Sequence, residues 1–249
     1  MGKMKMARYA ISVKISTEEE LERIEEVLYR LDDTDYWVEL DLEKAEIIEN
    51  ASVSDIIDPF FESSVRIAAI KTPILEEEDY LEKLAVIGSE IEGNHIIFTI
   101  DNLPKEEIFL TLFDIFSIYK TKVSFDAHPA HLDDIYSDVS QFIGGIFGLS
   151  FTQEHYENTE EFIRFIRKYL GIVRNIRIIN MDEENQPKPL LKPGKYNNPK
   201  LLKYLAENGY DGFLTLCSYN LYKEEISKEY KTLKEYVRSL EEKRPTLFR

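Results

Sequence analysis

The sequence predicts an α/β fold, a single (β/α)8 TIM barrel that spans residues 1–249. Eight short stretches rich in β-branched residues alternate with eight helical or partly helical stretches, and such alternation favours a parallel sheet. Eight units favour closure of that sheet into a barrel, which typically takes about 250 residues. Because no low-complexity segment or linker divides the series, we expect one domain.

The predicted strands are short and apolar, as strands in a parallel sheet covered on both faces usually are. The third is the clearest, since its apolar run is nearly continuous. The eight strands are expected at residues 7–15, 37–42, 65–73, 95–101, 122–129, 145–152, 172–181 and 213–217.

The stretches between the strands carry the marks of amphipathic helices. Ser16 and Thr17 precede three glutamates, which is a capped helix start that suits the helix dipole. The second stretch is helical only in patches and contains Pro59; without that unit, an open doubly wound sheet would be the alternative. The helical stretches are expected at residues 18–28, 45–64, 76–93, 104–120, 132–142, 159–171, 197–212 and 222–243.

Charge and cysteine content narrow the class of protein. With 31 Lys and Arg against 47 Asp and Glu, the net charge is −16; such a charge repels phosphate backbones, so we expect no nucleic-acid partner. Cys217 is the only cysteine, which excludes an internal disulfide and a thiolate metal cluster. Without a transmembrane-length apolar run or a signal peptide, we expect a cytoplasmic protein with no membrane partner. The richness in Glu, Lys and Ile fits a thermophile.

The stretch from Ile172 to Cys217 predicts the functional end of the barrel. It reads as a βαβ unit with an oversized crossing loop. Ligands in α/β folds gather at the carboxyl ends of strands, where this loop begins, and a structureless loop of this length is usually functional or disordered. Its Pro193-Gly194-Lys195-Tyr196 loop and Gly209-Tyr210-Asp211-Gly212 turn resemble the closing third of the xylose-isomerase-like sugar phosphate isomerase and epimerase barrels, a superfamily that includes endonuclease IV.

This resemblance implies a divalent-metal site, but the corresponding positions differ here. The relatives hold the ion with a Glu ending strand five, an Asp-x-x-His after strand six, a His on strand seven and a Glu ending strand eight. The matching positions of this chain are Asp126, Thr152 with His155, Arg177, and Cys217. Arginine is permanently cationic and cannot coordinate a metal, so we expect neither the metal mechanism nor another cofactor. A different metal site could still be built from Asp126, His128, His131 and His155.

Basic side chains at the strand ends point instead to an anionic ligand. Lys71 stands where the relatives have a His before Pro, and Arg177 offers a fork that suits carboxylate or phosphate. We expect His155 and Asp126 to transfer protons, and Lys71, if desolvated, to act as a base or an imine former. The predicted substrate-binding residues are Lys71, Arg177, Asn180 and His128.

Each of these residues also has a structural interpretation. Lys71 could extend its stem over apolar neighbours to reach water, and His128 could cap or turn a loop. Arg177 could form an ion pair with Asp126, Glu154 or another acid at a crowded barrel mouth. Cys217 is most simply a small buried hydrophobic residue.

The sequence therefore leaves three functions open. The first is an isomerase-like or lyase-like enzyme that acts on a small hydroxylated substrate, with or without a phosphoryl group, at the C-terminal mouth of the barrel. The second is a non-catalytic descendant that binds a metabolite or a protein, which the lost metal ligands suggest. Endonuclease IV-like DNA repair is the third, and the acidic charge and missing metal positions disfavour it.

Overall fold

The strands close into a barrel in sequence order. The computed structural model describes residues 7–31, 36–61, 63–142, 145–217 and 225–242. Each strand pairs in parallel with the next, and the eighth pairs with the first, so the predicted TIM barrel is confirmed and the open sheet is wrong. The strands are β1 (Arg8–Ile15), β2 (Trp37–Leu42), β3 (Arg66–Pro73), β4 (His95–Ile100), β5 (Lys122–Ala127), β6 (Phe147–Thr152), β7 (Val173–Ile178) and β8 (Phe213–Leu216).

Helices follow the strands, and the weak second unit is helical after all. It forms two short helices, and Pro59 lies inside the second of them. Predicted residues 222–224 and 243 lie outside the described residues. The helices are α1 (Glu18–Glu22), α2 (Ile24–Leu31), α3 (Glu46–Asn50), α4 (Val53–Phe61), α5 (Glu78–Glu90), α6 (Glu106–Tyr119), α7 (Leu132–Val139), α8 (Thr159–Tyr169), α9 (Asn198–Glu207) and α10 (Ile226–Glu242).

Buried apolar side chains form two separate packing regions, one outside the sheet and one inside the barrel. The main apolar core lies between the outer face of the sheet and the helices. Inside the barrel, Ala10, Ala68 and Phe213 pack together with the half-buried Trp37, whose ring centroid lies 5.5 Å from that of Phe213. Where described, none of the helices combines the length and apolar character needed to cross a membrane.

Two register shifts decide which side chains enter the barrel. One lies at Val38 and Glu39, where β2 pairs with β3. The other lies at Leu149 and Ser150, and beyond it Arg177 pairs with Thr152 across β6 and β7. In each pair the extra residue belongs to the second strand, Ala68 in β3 and Arg174 in β7. Because a slip of one residue turns every following side chain to the other face of a strand, these shifts help to place polar side chains of β3 and β7, such as Lys71 and Arg177, inside the barrel.

Gly93 provides a stability test of the barrel's close packing. A Cβ at Gly93 would overlap the backbone carbonyl of Ala68 in β3, and the Gly93 amide donates to the Ile67 carbonyl at 2.9 Å. We expect Gly93→Ala to cost about 3 kcal/mol or more, because the backbone must move apart, and to lower Tm by about 6 °C or more.

Gly171→Ala is the matched control for this measurement. A Cβ there would meet no atom within 4 Å, and the residue is exposed, so Tm should stay the same or rise slightly. Equal Tm values for the two variants in thermal unfolding followed by circular dichroism would contradict the steric explanation.

Candidate functional site

Arg177 lies at the centre of a buried polar network inside the barrel. Its Nε donates to Glu39 Oε1 at 2.8 Å, and its Nη1 donates to Thr152 Oγ1 at 3.1 Å. Its Nη2 donates to Ser12 Oγ at 3.1 Å and to Asp41 Oδ2. The guanidinium therefore holds four of the eight strands together through its own donors.

Glu39 is fully buried but well satisfied. Its Oε1 accepts from Ser12 Oγ at 3.0 Å as well as from Arg177. Its Oε2 accepts from Asn175 Nδ2 at 2.6 Å, and Thr215 Oγ1 in turn donates to Asn175 Oδ1 at 2.7 Å. A buried ion pair is tolerated when its remaining groups are hydrogen-bonded in this way.

The charges inside the barrel stabilise one another. Burial alone would lower the pKa of Arg177, but the neighbouring Cys217 and the carboxylates of Glu39, Asp41 and Asp126 raise it well above its usual value. Burial alone would raise the pKa of Asp41, but Arg177 and then Lys71 bring it below its usual value. Both groups therefore stay charged at neutral pH.

The two carboxylate oxygens of Asp126 have different surroundings. Oδ2 accepts from Thr152 Oγ1 at 2.7 Å, and it lies 3.7 Å from Lys71 Nζ and 3.8 Å from Arg177 Nη1. Oδ1 is buried and has no hydrogen-bond partner among the described residues. It lies 3.9 Å from His155 Nδ1, which is also buried and without a partner in that part of the chain.

Lys71 and His155 lie beside Asp126 at the barrel mouth. Lys71 is 8% exposed and makes one hydrogen bond, from Nζ to Asp41 Oδ1 at 3.2 Å, although its ammonium has three donors. The side chain of His155 is 33% exposed. The structure thus brings together three of the predicted residues, namely Lys71, Asp126 and His155.

His128 and His131 lie farther out at the same end. The His128 ring centroid lies 6.5 Å from that of His155 and 6.4 Å from that of His131. His128 Nδ1 accepts from the Ala130 amide at 3.3 Å, so His128 caps the loop as its structural interpretation predicted. Over the described part of the chain, no three His, Cys, Asp or Glu side chains are grouped as a metal site requires.

The side chain of Asn180, a predicted substrate-binding residue, makes its hydrogen bonds to the backbone of the protein. Its Nδ2 donates to the carbonyls of Pro189 and Lys192 at 2.9 and 2.7 Å, and its Oδ1 accepts from the Met181 amide at 3.0 Å. These bonds tie the long crossing loop to the end of β7. A Cβ at Gly194 would overlap the Asn180 side chain, which explains why glycine follows Pro193 in that loop.

A second set of buried amides ties down the same loop. Asn198 Nδ2 donates to the carbonyls of Ile179 and Leu190 at 2.9 and 3.2 Å. Its Oδ1 accepts from Gln153 Nε2 at 2.8 Å, and Gln153 Oε1 accepts from the Ile179 amide at 3.0 Å. The loop is therefore ordered by side chains at its base rather than being disordered.

Cys217 is half-buried, and its thiol lies among apolar side chains. It packs against Ile179, Met181 and Tyr196, and its Sγ lies 3.7 Å from the Thr215 carbonyl, to which it donates. Burial raises the pKa of the thiol well above its ordinary value. The thiol therefore stays protonated, as expected for a small buried residue and not for a nucleophile or metal ligand.

The partners of Arg177 were only partly foreseen. Asp126 pairs with Arg177 as predicted, at 3.8 Å, whereas Glu154 is exposed. Glu39 and Asp41 make closer ion pairs with Arg177. These two acids lie two residues apart in WVELDL, so the alternation of a strand puts them on one face. This spacing in the sequence indicates a buried ion pair, because two carboxylates on an inward face need a buried cation.

The closed barrel of eight parallel strands defines the fold class, a single (β/α)8 TIM barrel. Structure comparison places this chain beside a D-tagatose 3-epimerase-like protein, with a TM-score of 0.66, 15% identity, and coverage of 94% of this chain and 99% of that one. No protein-family model matches the chain, and no match was found among functionally characterised proteins.

Two further solved structures share the fold. The D-psicose 3-epimerase of Clostridium cellulolyticum H10, solved with D-tagatose, has a TM-score of 0.63 at 10% identity, covering 94% of this chain and 99% of that one. A xylose isomerase domain protein from Planctomyces limnophilus has a TM-score of 0.61 at 14% identity, covering 94% and 98%. The chain therefore has the fold of the xylose-isomerase-like barrels and epimerases, and the likeness at these identities extends to the fold alone.

Proposed function

We propose that this protein interconverts small hydroxylated carbonyl compounds, in the manner of a sugar isomerase or epimerase, at the C-terminal end of its barrel. One observation carries the proposal. Asp126 Oδ1 and His155 Nδ1 are both buried, lie 3.9 Å apart, and have no hydrogen-bond partner among the described residues. Because buried polar atoms are usually satisfied, this pair is available to a ligand.

The charge of the cluster favours an uncharged sugar over a sugar phosphate. Glu39, Asp41 and Asp126 are opposed by the two cations Lys71 and Arg177, which leaves one negative charge in excess while His155 is neutral. Four of the five N–H donors of Arg177 are already used within the network. Lys71 makes one hydrogen bond and keeps two donors. In this proposal Lys71, one of the two cations predicted to hold the ligand, binds a hydroxyl or carbonyl oxygen of the substrate.

We further propose that the reaction proceeds without the divalent ion that the resemblance implies. The residues present do not fit such an ion: the guanidinium of Arg177 lies 3.8 Å from Asp126 and would repel a metal, and a protonated Cys217 thiol is a poor ligand. In this proposal, the fixed cations Lys71 and Arg177 supply the positive charge instead.

The chemistry requires removal of a proton from the carbon beside a carbonyl. Asp126 Oδ1 accepts this proton as the C–H bond breaks, the released electron pair forms the C=C bond of an enediolate, and the carbonyl π electrons move to oxygen. Lys71 stabilises that oxygen. Isomerisation requires that His155 give a proton to this oxygen and take one from the neighbouring hydroxyl, while the proton on Asp126 returns to the neighbouring carbon. Epimerisation requires that a proton from solvent reach the opposite face of the original carbon, while Asp126 keeps the proton that it removed. The partly exposed His155 exchanges protons with solvent, which suits an imidazole.

Solvent deuterium exchange tests the proposal directly. We expect the protein in D2O to incorporate deuterium beside the carbonyl of at least one unphosphorylated ketose or aldose from a panel, detected by proton NMR. Treatment with EDTA should leave the rate unchanged, and the phosphorylated counterparts should react more slowly. Absence of exchange across the panel, or exchange that appears only after a divalent metal is added, would overturn it.

The same experiment distinguishes this enzyme from the non-catalytic alternative, in which the barrel binds a metabolite without converting it. The engagement of four of the five Arg177 donors inside the network favours that alternative, because a stable interior can serve a binding protein equally well. Sugars that raise Tm without any deuterium incorporation would establish binding without turnover.

A further inference from the structure

A cavity of about 590 Å³ lies at the N-terminal end of the barrel, opposite the end that holds Asp126 and His155. It is bounded by the start of β1, β4, β5 and β7 and by the turn into β8, and its cationic wall is made by Arg8, Lys122 and Arg174. Asp211 is the one carboxylate among the residues that line it. Three cationic side chains and one carboxylate therefore line this cavity, in a chain whose total charge is −16.

The cations at this end are held in place before any ligand arrives. Arg174 Nη2 donates to the carbonyls of Phe147, at 3.0 Å, and Gly145, and its Nη1 donates to the Ile146 carbonyl. Burial lowers the pKa of Arg174 to about 10, so it remains charged at neutral pH. The Arg8 guanidinium lies 4.0 Å from the centroid of the Phe213 ring, a cation–π contact that fixes its orientation.

His95 shows the same positive surroundings from the inside. Its imidazole is 3% exposed, and its Nε2 lies 2.7 Å from Ser124 Oγ, within hydrogen-bond distance. Burial first, and then the charges of Arg174, Lys122 and Arg8, lower its pKa well below the usual value. His95 therefore stays neutral at the cavity wall and adds no positive charge of its own.

We propose that this N-terminal cavity binds a small phosphorylated metabolite, with the phosphoryl group against Arg8, Lys122 and Arg174. A phosphate dianion suits a wall with three cationic side chains, and arginine recognises its oxygens well. The volume leaves space for an organic part beside the phosphoryl group. This site is separate from Asp126 and His155, so it does not depend on the proposed sugar chemistry.

Trp37 is a built-in reporter for this cavity. It is the only tryptophan of the chain, and its ring packs 5.5 Å from that of Phe213, which lines the cavity under Arg8. We expect inorganic phosphate and glycerol 3-phosphate to change Trp37 fluorescence saturably at constant ionic strength, and uncharged glycerol to have no effect.

Matched variants decide whether the change reports this cavity. Gly171 lines it and faces open space, so Gly171→Glu places a carboxylate there without steric conflict. It should weaken phosphate binding by about tenfold or more, as should Lys122→Gln. Gly171→Ala should bind normally, and so should Lys203→Gln, which removes an exposed charge on α9.

Two results would overturn the assignment. One is the absence of any saturable change with either phosphate compound. The other is equal affinity in Gly171→Glu and Gly171→Ala, which would mean that phosphate acts elsewhere or through ionic strength. Circular dichroism spectra and Tm values of the four variants confirm that each is folded before titration.

Discussion

Asp126→Asn should slow the deuterium exchange reaction by about 10²–10⁴-fold, the usual contribution of a positioned general base. The amide has nearly the shape of the carboxylate and can still accept from Thr152 at the Oδ2 position. It cannot accept a proton from carbon, however, so the loss should appear in kcat, with a smaller change in KM.

Glu154→Gln is the control for this experiment. Glu154 is an exposed carboxylate next to His155, so its removal makes the same change in charge near the mouth without touching Asp126. Its exchange rate should be close to that of the unaltered protein. If the two variants lost activity equally, or Asp126→Asn kept it, the assignment of Asp126 as the base would be wrong.

Arg177→Met should be among the most destabilising single substitutions in the chain, costing about 3–5 kcal/mol. Methionine leaves Glu39 fully buried without its cation and leaves Asp41 and Asp126 to repel each other. In urea unfolding the midpoint should fall while the slope stays constant, and Tm should fall by roughly 10 °C.

A second substitution distinguishes charge from packing as the cause of that loss. Adding Glu39→Gln to Arg177→Met removes the uncompensated buried charge, so part of the lost free energy of unfolding should return. Arg238→Met serves as the surface control, because Arg238 pairs with Glu242 on the exposed side of α10, where an ion pair contributes little. A loss for Arg177→Met no larger than for Arg238→Met would refute a structural role for the network.

The two ends of the barrel differ in charge, which separates their expected ligands. At the C-terminal end, the carboxylates of Glu39, Asp41 and Asp126 outnumber the cations Lys71 and Arg177. At the N-terminal end, Arg8, Lys122 and Arg174 outnumber Asp211. A neutral sugar suits the first end, because an excess of carboxylates repels an anionic ligand. A phosphorylated compound suits the second end, because the cations attract its phosphoryl group.

The sequence by itself determined the order, type and approximate bounds of the elements. Predicted strands such as 37–42 and 122–129 agree with β2 and β5 to within two residues, because hydrophobic alternation and helix caps are local signals. The sequence also located Lys71, Asp126 and His155, since the ends of parallel strands in a barrel meet at one face.

Only the tertiary structure decided what these side chains do. Arg177 meets Glu39 and Asp41 more than 130 residues away, Asn180 turns to the loop, and the unpartnered atoms of Asp126 and His155 face each other. The contacts of Arg177 depend on barrel closure and on the extra residue in β7, and the place of Lys71 beside Asp126 depends on the extra residue in β3. A single residue of slip would turn the same side chains to the opposite face, and no local pattern in the chain encodes that choice.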